Sequence, residues 1–380
     1  MNSKIKYYTT MGLYWSVIAA CVSFLNVFLT GRGLGTAEIG FLTALGNGLA
    51  AIFQPIVSKV CSRSNKNERD FLVLISMLAM TLVIMALERK AGLAMKIEIV
   101  AAIALVLVMQ PLLNSLGYFY IARSVEINYG VSRGIGSITF AVTSFVLGIL
   151  SEINKDLSMV MAAVLLGALI LSLLAQKPIS GNNVVTVFDG RAQKQKIQNS
   201  KFIIFLLAVG MLFTFYNVTN VYLLQIAKRI GGDAKTVGTA FAVAALFEFP
   251  IMFMFNRLKD KFKSRSMLIF SGIFFLLKGI LTYIATSPST LIAIQVTQLF
   301  GFALFTPCSV DFINDIMSDE KKITGQGFLA SAITMGGVIG SVAGGVLIES
   351  FGVLNTLIVS NIICLIAILL IVISTKGCKE

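Results

Sequence analysis

Residues 236–283 read TVGTAFAVAALFEFPIMFMF, NRLKDKFKSRS and MLIFSGIFFLLKGILTY, a basic loop between two apolar segments. Each apolar segment is close to the length of about 20 residues that crosses a ~30 Å hydrocarbon layer as a helix. Glu248 and Lys278 each lie about twelve residues into their segment, so a rise of about 1.5 Å per residue predicts both near mid-membrane. A lone charge there costs about 2.5–3.5 kcal/mol or more. The two residues are therefore expected either to form a structural ion pair or to belong to a site inside a helix bundle.

The whole chain has the composition of a membrane protein. Of its 380 residues, 57% are hydrophobic and 13% are charged, and the mean hydropathy is +0.88. So few polar residues cannot cover a soluble globule of this size. We predict an all-α membrane protein of twelve transmembrane helices, at residues 7–30, 38–60, 70–88, 97–122, 133–153, 157–175, 201–229, 234–257, 266–286, 289–317, 323–349 and 353–374.

The net charge of +13 follows the predicted topology. With a cytoplasmic N-terminus, 22 of the 31 Lys and Arg residues fall in cytoplasmic segments and 8 in outer segments. By the positive-inside rule we predict a multi-pass protein of the cytoplasmic membrane with both termini in the cytoplasm, and no nucleic-acid partner. The five cysteines show no paired spacing and the chain has no histidine, so no cofactor or metal site is expected.

The two halves of the chain share a weak repeat. At offsets of 197 to 198 residues, identical or similar residues recur, namely Gly40 and Gly238, Arg63 and Lys261, Gly148 and Gly345, and Glu152 and Glu349. A common offset in two distant segments indicates a duplicated six-helix unit. We predict an N-terminal half at 1–175, a polar cytoplasmic linker at 176–200 and a C-terminal half at 201–380.

Two six-helix halves, with basic loops after spans 2 and 8, resemble the major facilitator superfamily over essentially the whole chain. That superfamily carries a loop of the form Gly-x-x-x-Asp-Arg/Lys-x-Gly-Arg/Lys-Arg/Lys, which acts as a conformational latch. The loop after span 8 keeps its acid and bases as Asp260, Lys261 and Arg265, while the loop after span 2 keeps Arg63 and lacks the acid. The resemblance implies a gating role for these four residues.

Residues 129–140, YGVSRGIGSITF, resemble the lactose permease and phenylpropionate permease group. The resemblance implies that Arg133 binds substrate, that Phe140 stacks beside it, and that Glu248 serves substrate and proton. Lys278 stands where lactose permease has an arginine. The chain departs from the group at span 10, where Gln298 occupies the region in which a histidine is usual. Galactoside specificity is therefore not implied.

We predict a non-enzymatic secondary transporter that moves a small organic solute by alternating access. No nucleotide-binding motif is present, so proton-coupled symport of a saccharide, an aromatic acid or a nucleoside is expected. The predicted substrate-binding residues are Arg133, Phe140, Asn217, Lys278 and Gln298, and the predicted proton-coupling residues are Glu248 and Asp311. The expected partners are the solute, protons and the lipid bilayer, and the protein is expected to be a monomer. Two alternatives remain open: a drug or metabolite efflux carrier, and a transport-inactive membrane sensor.

Overall fold

The computed structural model describes residues 3–63, 68–121, 125, 127, 129–176, 200–317 and 322–376. Within these residues all regular secondary structure is helical. Apart from its two end residues, the predicted linker 176–200 lies outside the described part of the chain.

The described residues contain eleven helical segments long and apolar enough to cross a membrane. The last of them includes Gly352, whose backbone is non-helical (φ 78°, ψ 169°), so this segment is two helices joined at a glycine. The prediction of twelve transmembrane helices is confirmed. We number them α1 (Ser3–Gly31), α2 (Thr36–Arg63), α3 (Glu68–Glu88), α4 (Leu93–Ile121), α5 (Tyr129–Ile153), α6 (Leu157–Leu174), α7 (200–229), α8 (Ala234–Lys259), α9 (Ser264–Ile284), α10 (Pro288–Ile316), and α11 and α12 (322–351 and 353–375, the parts of Lys322–Thr375 on either side of Gly352).

Three of these helices are irregular. Helix α1 contains a π-helical turn at Ala19–Ser23, and α7 consists of Ser200–Val221 followed by Leu223–Arg229. Helix α10 changes from α-helix to 3₁₀-helix at Gln295–Leu299 and resumes at Phe302. Backbone groups in lipid must be hydrogen-bonded, so such breaks survive only where protein atoms surround them.

By their packing, the residues form two compact units. The first comprises Met1–Leu34 and Leu45–Arg191, and the second comprises Gly35–Ala44 and Ala192–Glu380. The start of α2 thus packs with the second unit.

In the first unit, α1 packs against α5 and α6, and α3 packs against α4 and α6. Hydroxyl groups fasten α1 to α5: Thr139 Oγ1 donates to the carbonyl of Gly12 at 2.9 Å, and Thr143 Oγ1 donates to Ser16 Oγ at 2.9 Å. These bonds set the register between the two helices.

In the second unit, α7 packs closely on α11. A Cβ atom added at Gly340 would lie 2.5 Å from the carbonyl oxygen of Thr214, so only glycine permits this approach. The glycine-rich sequence of α11 is therefore a close-packing surface. The core beside it is aromatic and includes Phe205, Phe213, Phe215, Phe275, Phe305 and Phe312.

The first turn of α2 joins this packing. Glu349 Oε2 accepts a hydrogen bond of 2.9 Å from the backbone N–H of Ala37, which places a carboxylate at the positive end of the helix. The hydroxyl of Tyr222 donates to the carbonyl of Ser341, and a Cβ atom at Gly40 would overlap both.

Candidate functional site

The irregular part of α10 positions a glutamine inside the second unit. The 3₁₀ segment Gln295–Leu299 is followed by Gly301 with φ −78° and ψ −102°, which is outside the helical region. The Oγ of Ser271 on α9 donates to the Gly301 carbonyl at 2.9 Å and so holds the break. A 3₁₀ stretch within a helix often marks a functional hinge. Gln298 in this segment is 2% exposed.

Gln298 bridges the two charged residues that the sequence placed near mid-membrane. Lys278 Nζ donates to Gln298 Oε1 at 2.8 Å, and Gln298 Nε2 donates to Glu248 Oε1 at 3.2 Å and to the Tyr216 hydroxyl at 3.2 Å. Lysine only donates and an ionised carboxylate only accepts, so the orientation of the amide is determined by its neighbours. We call Tyr216, Glu248, Lys278 and Gln298 the amide network.

Lys278 is held deep in the unit because the next residue is a glycine. A Cβ atom at Gly279 would lie 2.7 Å from the Phe215 ring, so α9 lies directly against α7. Lys278 is 4% exposed, its Nζ lies 5.9 Å from the Tyr216 ring centroid, and Thr282 Oγ1 donates to its carbonyl at 2.7 Å. Glu248 is only half-buried. The cation is therefore more enclosed than the acid.

Aromatic rings form one side of the amide network. Tyr216 stacks on Phe302 with ring centroids 4.8 Å apart and an interplanar angle of 10°, and Phe275 meets Tyr216 edge-on at 6.0 Å. Polar donors thus lie next to an apolar wall, as in sites for small amphipathic ligands.

The structure places two predicted site residues of the second unit elsewhere. Asn217 Nδ2 donates to the carbonyl of Phe213 at 3.3 Å and lies beside Gly337 of α11. Asp311 accepts a hydrogen bond of 2.8 Å from Lys259 at the end of α8, and this bond raises the pKa of Lys259. Its other oxygen, Oδ2, is buried without a hydrogen-bond partner among the described residues. The hydrogen bonds of Asn217 and Asp311 thus go to residues outside the amide network.

Three of the four predicted gating residues lie between α8 and α9 or at the start of α9. Asp260 and Lys261 are exposed in the turn between these helices, and Arg265 is half-buried in the first turn of α9. Arg63 is the last residue of α2, and its side chain lies outside what the structure describes.

Arg133 lies on an aromatic platform in the first unit. Its guanidinium carbon is 4.0 Å from the ring centroid of Trp15, a residue that lies about 18 Å along α1 from Ser3 at about 1.5 Å per residue. A Cβ atom at Gly136 would overlap the indole ring, so glycine is needed at this position. Phe140, seven residues after Arg133, lies about two turns further on the same face of α5. Trp15, the single tryptophan of the chain, was not among the predicted site residues.

Comparisons with known proteins agree with this fold. A family model described as MFS_1 like family matches residues 4–359. Similar solved structures include the nucleoside transporter NupG, at 16% identity and a TM-score of 0.85 over 100% of both chains. A second NupG structure has 14% identity and a TM-score of 0.85, covering 99% of this chain and 100% of that one. A peptide transporter POT has 12% identity and a TM-score of 0.78, covering 97% and 93%. None of the functionally characterised proteins compared matches in sequence.

Proposed function

The chain belongs to the MFS_1 like family, so it is a membrane transporter and not an enzyme, and we propose that it carries a small organic solute together with protons. The observation that carries this proposal is the amide network, in which a buried cation and a half-buried acid share one glutamine side chain.

Glu248 is the proposed proton carrier. As an ionised carboxylate it accepts a charge-assisted hydrogen bond from Gln298 and interacts electrostatically with Lys278. Protonation removes that charge, and the amide and Lys278 then interact more favourably with acceptor groups of a solute. Binding of the solute to Lys278 and Gln298 therefore favours protonation of Glu248, and the reverse holds by linkage. Asp311 is the second candidate for this role.

The proposed solute carries hydrogen-bond acceptors and a ring. Lys278 and Gln298 supply donors, and Asn217, Arg133 and Phe140 remain proposed contacts. The aromatic wall of Tyr216 and Phe302 suits a ring. Saccharides, aromatic acids and nucleosides meet this description, and the similar fold of a protein described as a nucleoside transporter supports testing nucleosides early.

We also propose the setting in which the protein works. It lies in the cytoplasmic membrane as a monomer with both termini in the cytoplasm. The 22-to-8 distribution of basic residues supports this orientation of the termini. Its halves are residues 1–175 and 201–380, joined by the linker 176–200. Asp260, Lys261, Arg265 and Arg63 act in gating.

Uptake into proteoliposomes tests this function. Purified protein is reconstituted and supplied with radiolabelled saccharides, aromatic acids and nucleosides, with and without a pH gradient that is alkaline inside. We expect one class to accumulate only with the gradient. Glu248→Gln, which resembles the protonated acid, is expected to keep solute exchange and lose gradient-driven accumulation. Glu88→Gln is the matched control, because Glu88 is exposed at the end of α3.

Accumulation by Glu248→Gln under a pH gradient alone would show that another group, Asp311 first, carries the proton. Gradient-driven expulsion by the wild-type protein would identify an efflux carrier instead. A protein that neither exchanges nor accumulates any of these solutes would be the transport-inactive alternative, and the proposal would be wrong.

A further inference from the structure

A buried serine of α9 is hydrogen-bonded to the break in α10. Ser271 is fully buried, and its Oγ donates to the carbonyl of Gly301 at 2.9 Å. The ψ angle of Gly301 is −102°, about 60° from the value of about −42° in a regular α-helix. Because ψ sets the direction of a residue's own carbonyl, the Gly301 oxygen is rotated out of the regular helical direction. That oxygen is shared: it accepts the Ser271 hydroxyl and also the backbone N–H of Phe305 at 3.0 Å.

Two other buried hydroxyl groups of the same unit are used within their own helices. Thr282 on α9 donates to the carbonyl of Lys278 at 2.7 Å, and Ser309 on α10 donates to that of Thr306 at 2.8 Å. Bonds of this kind, to a carbonyl three or four residues earlier, are common for serine and threonine inside a helix. Ser271 instead donates across to α10, at the residue where that helix departs from regular geometry. Its hydroxyl therefore serves the contact between two helices.

The attachment of α10 to α9 includes two hydrogen bonds at separate heights. Ser271 and Lys278 are seven residues apart on α9, about two turns, so they lie on the same face of that helix. Their partners on α10, Gly301 and Gln298, are three residues apart. Two such bonds fix both the rotation and the sliding of this α10 segment against α9. The Lys278 bond alone would leave the segment free to turn, because the lysine side chain is long and flexible.

Residues on either side of Gly301 contact the same tyrosine of α7. Gln298 Nε2 donates to the Tyr216 hydroxyl at 3.2 Å, and Phe302 stacks on the Tyr216 ring with centroids 4.8 Å apart. The same Nε2 donates to Glu248 Oε1 at 3.2 Å. An N–H···O bond is ordinarily about 2.7–3.2 Å long, so both bonds of this amide nitrogen are at the long end. A small rotation of α10 therefore breaks one of them.

We propose that Ser271 is a positioning residue for proton-coupled transport. By holding the Gly301 carbonyl against α9, it sets the rotation of α10 at which the Gln298 amide bridges the buried cation and the half-buried acid of the amide network. The inference rests on the proposed function, in which Glu248 carries the proton. Ser271 is fully buried, so it acts through Gln298 and not by contact with the solute.

A double-mutant cycle in the background of Ser271→Ala tests this role. The variant removes the hydroxyl without leaving the Gly301 carbonyl unpaired, because that carbonyl keeps the N–H of Phe305, and we therefore expect it to fold. The full-length chain carrying Glu248→Gln, Lys278→Met or both is unfolded at equilibrium in mixed micelles, with Ser271 present and with alanine in its place. We expect Ser271→Ala to lose at least half of the interaction energy between the two charged sites.

Two further variants control for packing and for donor strength. Ser309→Ala removes an equally buried hydroxyl that bonds within α10, and it should leave the interaction energy unchanged. Ser271→Cys keeps a side chain of similar size with a weak S–H donor, so it should retain more of the interaction energy than Ser271→Ala and less than the wild-type protein. A merely structural serine would lower the free energy of unfolding when replaced and leave the interaction energy as it is.

An infrared measurement reports on the same contact without unfolding the protein. The carbonyl stretch of protonated Glu248, identified as the band that Glu248→Gln lacks, is recorded in acidified phosphatidylcholine vesicles. A hydrogen bond from Gln298 to this carbonyl weakens the C=O bond and lowers its stretching frequency. We expect Ser271→Ala to shift the band to higher frequency, as Gln298→Leu does, and Ser309→Ala to leave it in place.

An interaction energy in Ser271→Ala equal to the wild-type value, an equal loss in Ser309→Ala, or an unshifted Glu248 band would overturn the inference. If Ser271→Ala does not fold, Ser271→Cys decides, and a wild-type interaction energy in that variant is the contrary result. Failure of this inference is distinguishable from failure of the transport proposal. Coupling that depends on Ser271, in a protein that accumulates nothing under a pH gradient, would leave the inference standing and refute symport. Gradient-driven accumulation together with coupling that is indifferent to Ser271→Ala would do the opposite.

Discussion

Replacement of Gln298 by leucine tests whether one amide couples Glu248 to Lys278. The leucine keeps an apolar side chain of comparable size but removes the acceptor of Lys278 and the donor to Glu248 and Tyr216. Water cannot readily replace the lost acceptor, because Lys278 is 4% exposed. Hydrogen bonds to charged groups contribute about 1.5–3 kcal/mol and neutral ones about 1 kcal/mol. Since half-buried Glu248 can be partly resolvated, we expect a total loss of about 2–4 kcal/mol in the free energy of unfolding.

A double-mutant cycle measures the coupling itself. Glu248→Gln, Lys278→Met and the double variant are compared by equilibrium unfolding in mixed micelles, first with Gln298 present and then with leucine in its place. Removing one member of the charged pair leaves an uncompensated charge, so we expect an interaction energy of about 1–3 kcal/mol between the two sites. In the leucine background it should fall below about 0.5 kcal/mol, as for independent sites.

Gln295→Leu is the matched control. Gln295 lies in the same 3₁₀ segment and is 3% exposed, but its amide donates to Leu291 of its own helix at 3.1 Å. It should lower stability and leave the coupling between Glu248 and Lys278 intact. If the single charge variants are harmless and additive, or if the coupling persists without Gln298, the amide does not transmit it and the reasoning is refuted.

Three further predictions concern other parts of the chain. Single cysteines placed in the linker 176–200 should react with impermeant thiol reagents only from the cytoplasmic side, and labelling from outside would overturn the assigned topology. Lys259→Met should change the free energy of unfolding by the same small amount at every pH from 6 to 9. The hydrogen bond that Lys259 donates to Asp311 raises the Lys259 pKa, so its contribution to stability is complete below the ordinary lysine pKa and is lost only as pH rises through the raised pKa. The effect is small because this side chain is 48% exposed. A change in that difference across this range, measured by chemical unfolding, would contradict the assignment. Gly136→Ala should lower the free energy of unfolding by about 1–3 kcal/mol through overlap with the indole, with a shift in Trp15 emission, and unchanged emission would show that the close packing is absent.

The fold was accessible from the sequence because the membrane imposes simple constraints on it. A span needs about 20 apolar residues, its backbone must be helical, and basic residues accumulate in cytoplasmic loops. Counting residues from the ends of two such spans was enough to place Glu248 and Lys278 at similar depth. The break at Gly352 between α11 and α12 was likewise readable, because a glycine separates two apolar segments there.

The partners of those residues depended on tertiary structure. Tyr216 and Asn217 are neighbours on α7, and successive residues on a helix point about 100° apart, so only packing decides that Tyr216 joins the amide network while Asn217 lies beside α11.

The contact partner of Arg133 likewise could not be predicted from the sequence. Its position near the start of α5 indicates the mouth of a span, whereas the register between α1 and α5 brings its guanidinium onto Trp15, far along α1. Sequence alone determined which helices cross the membrane and at what depth charges occur, because these follow from distances along one chain. Which side chains meet was decided by the rotation and register of helices against one another, which depend on contacts between residues 20 to 127 positions apart in the chain.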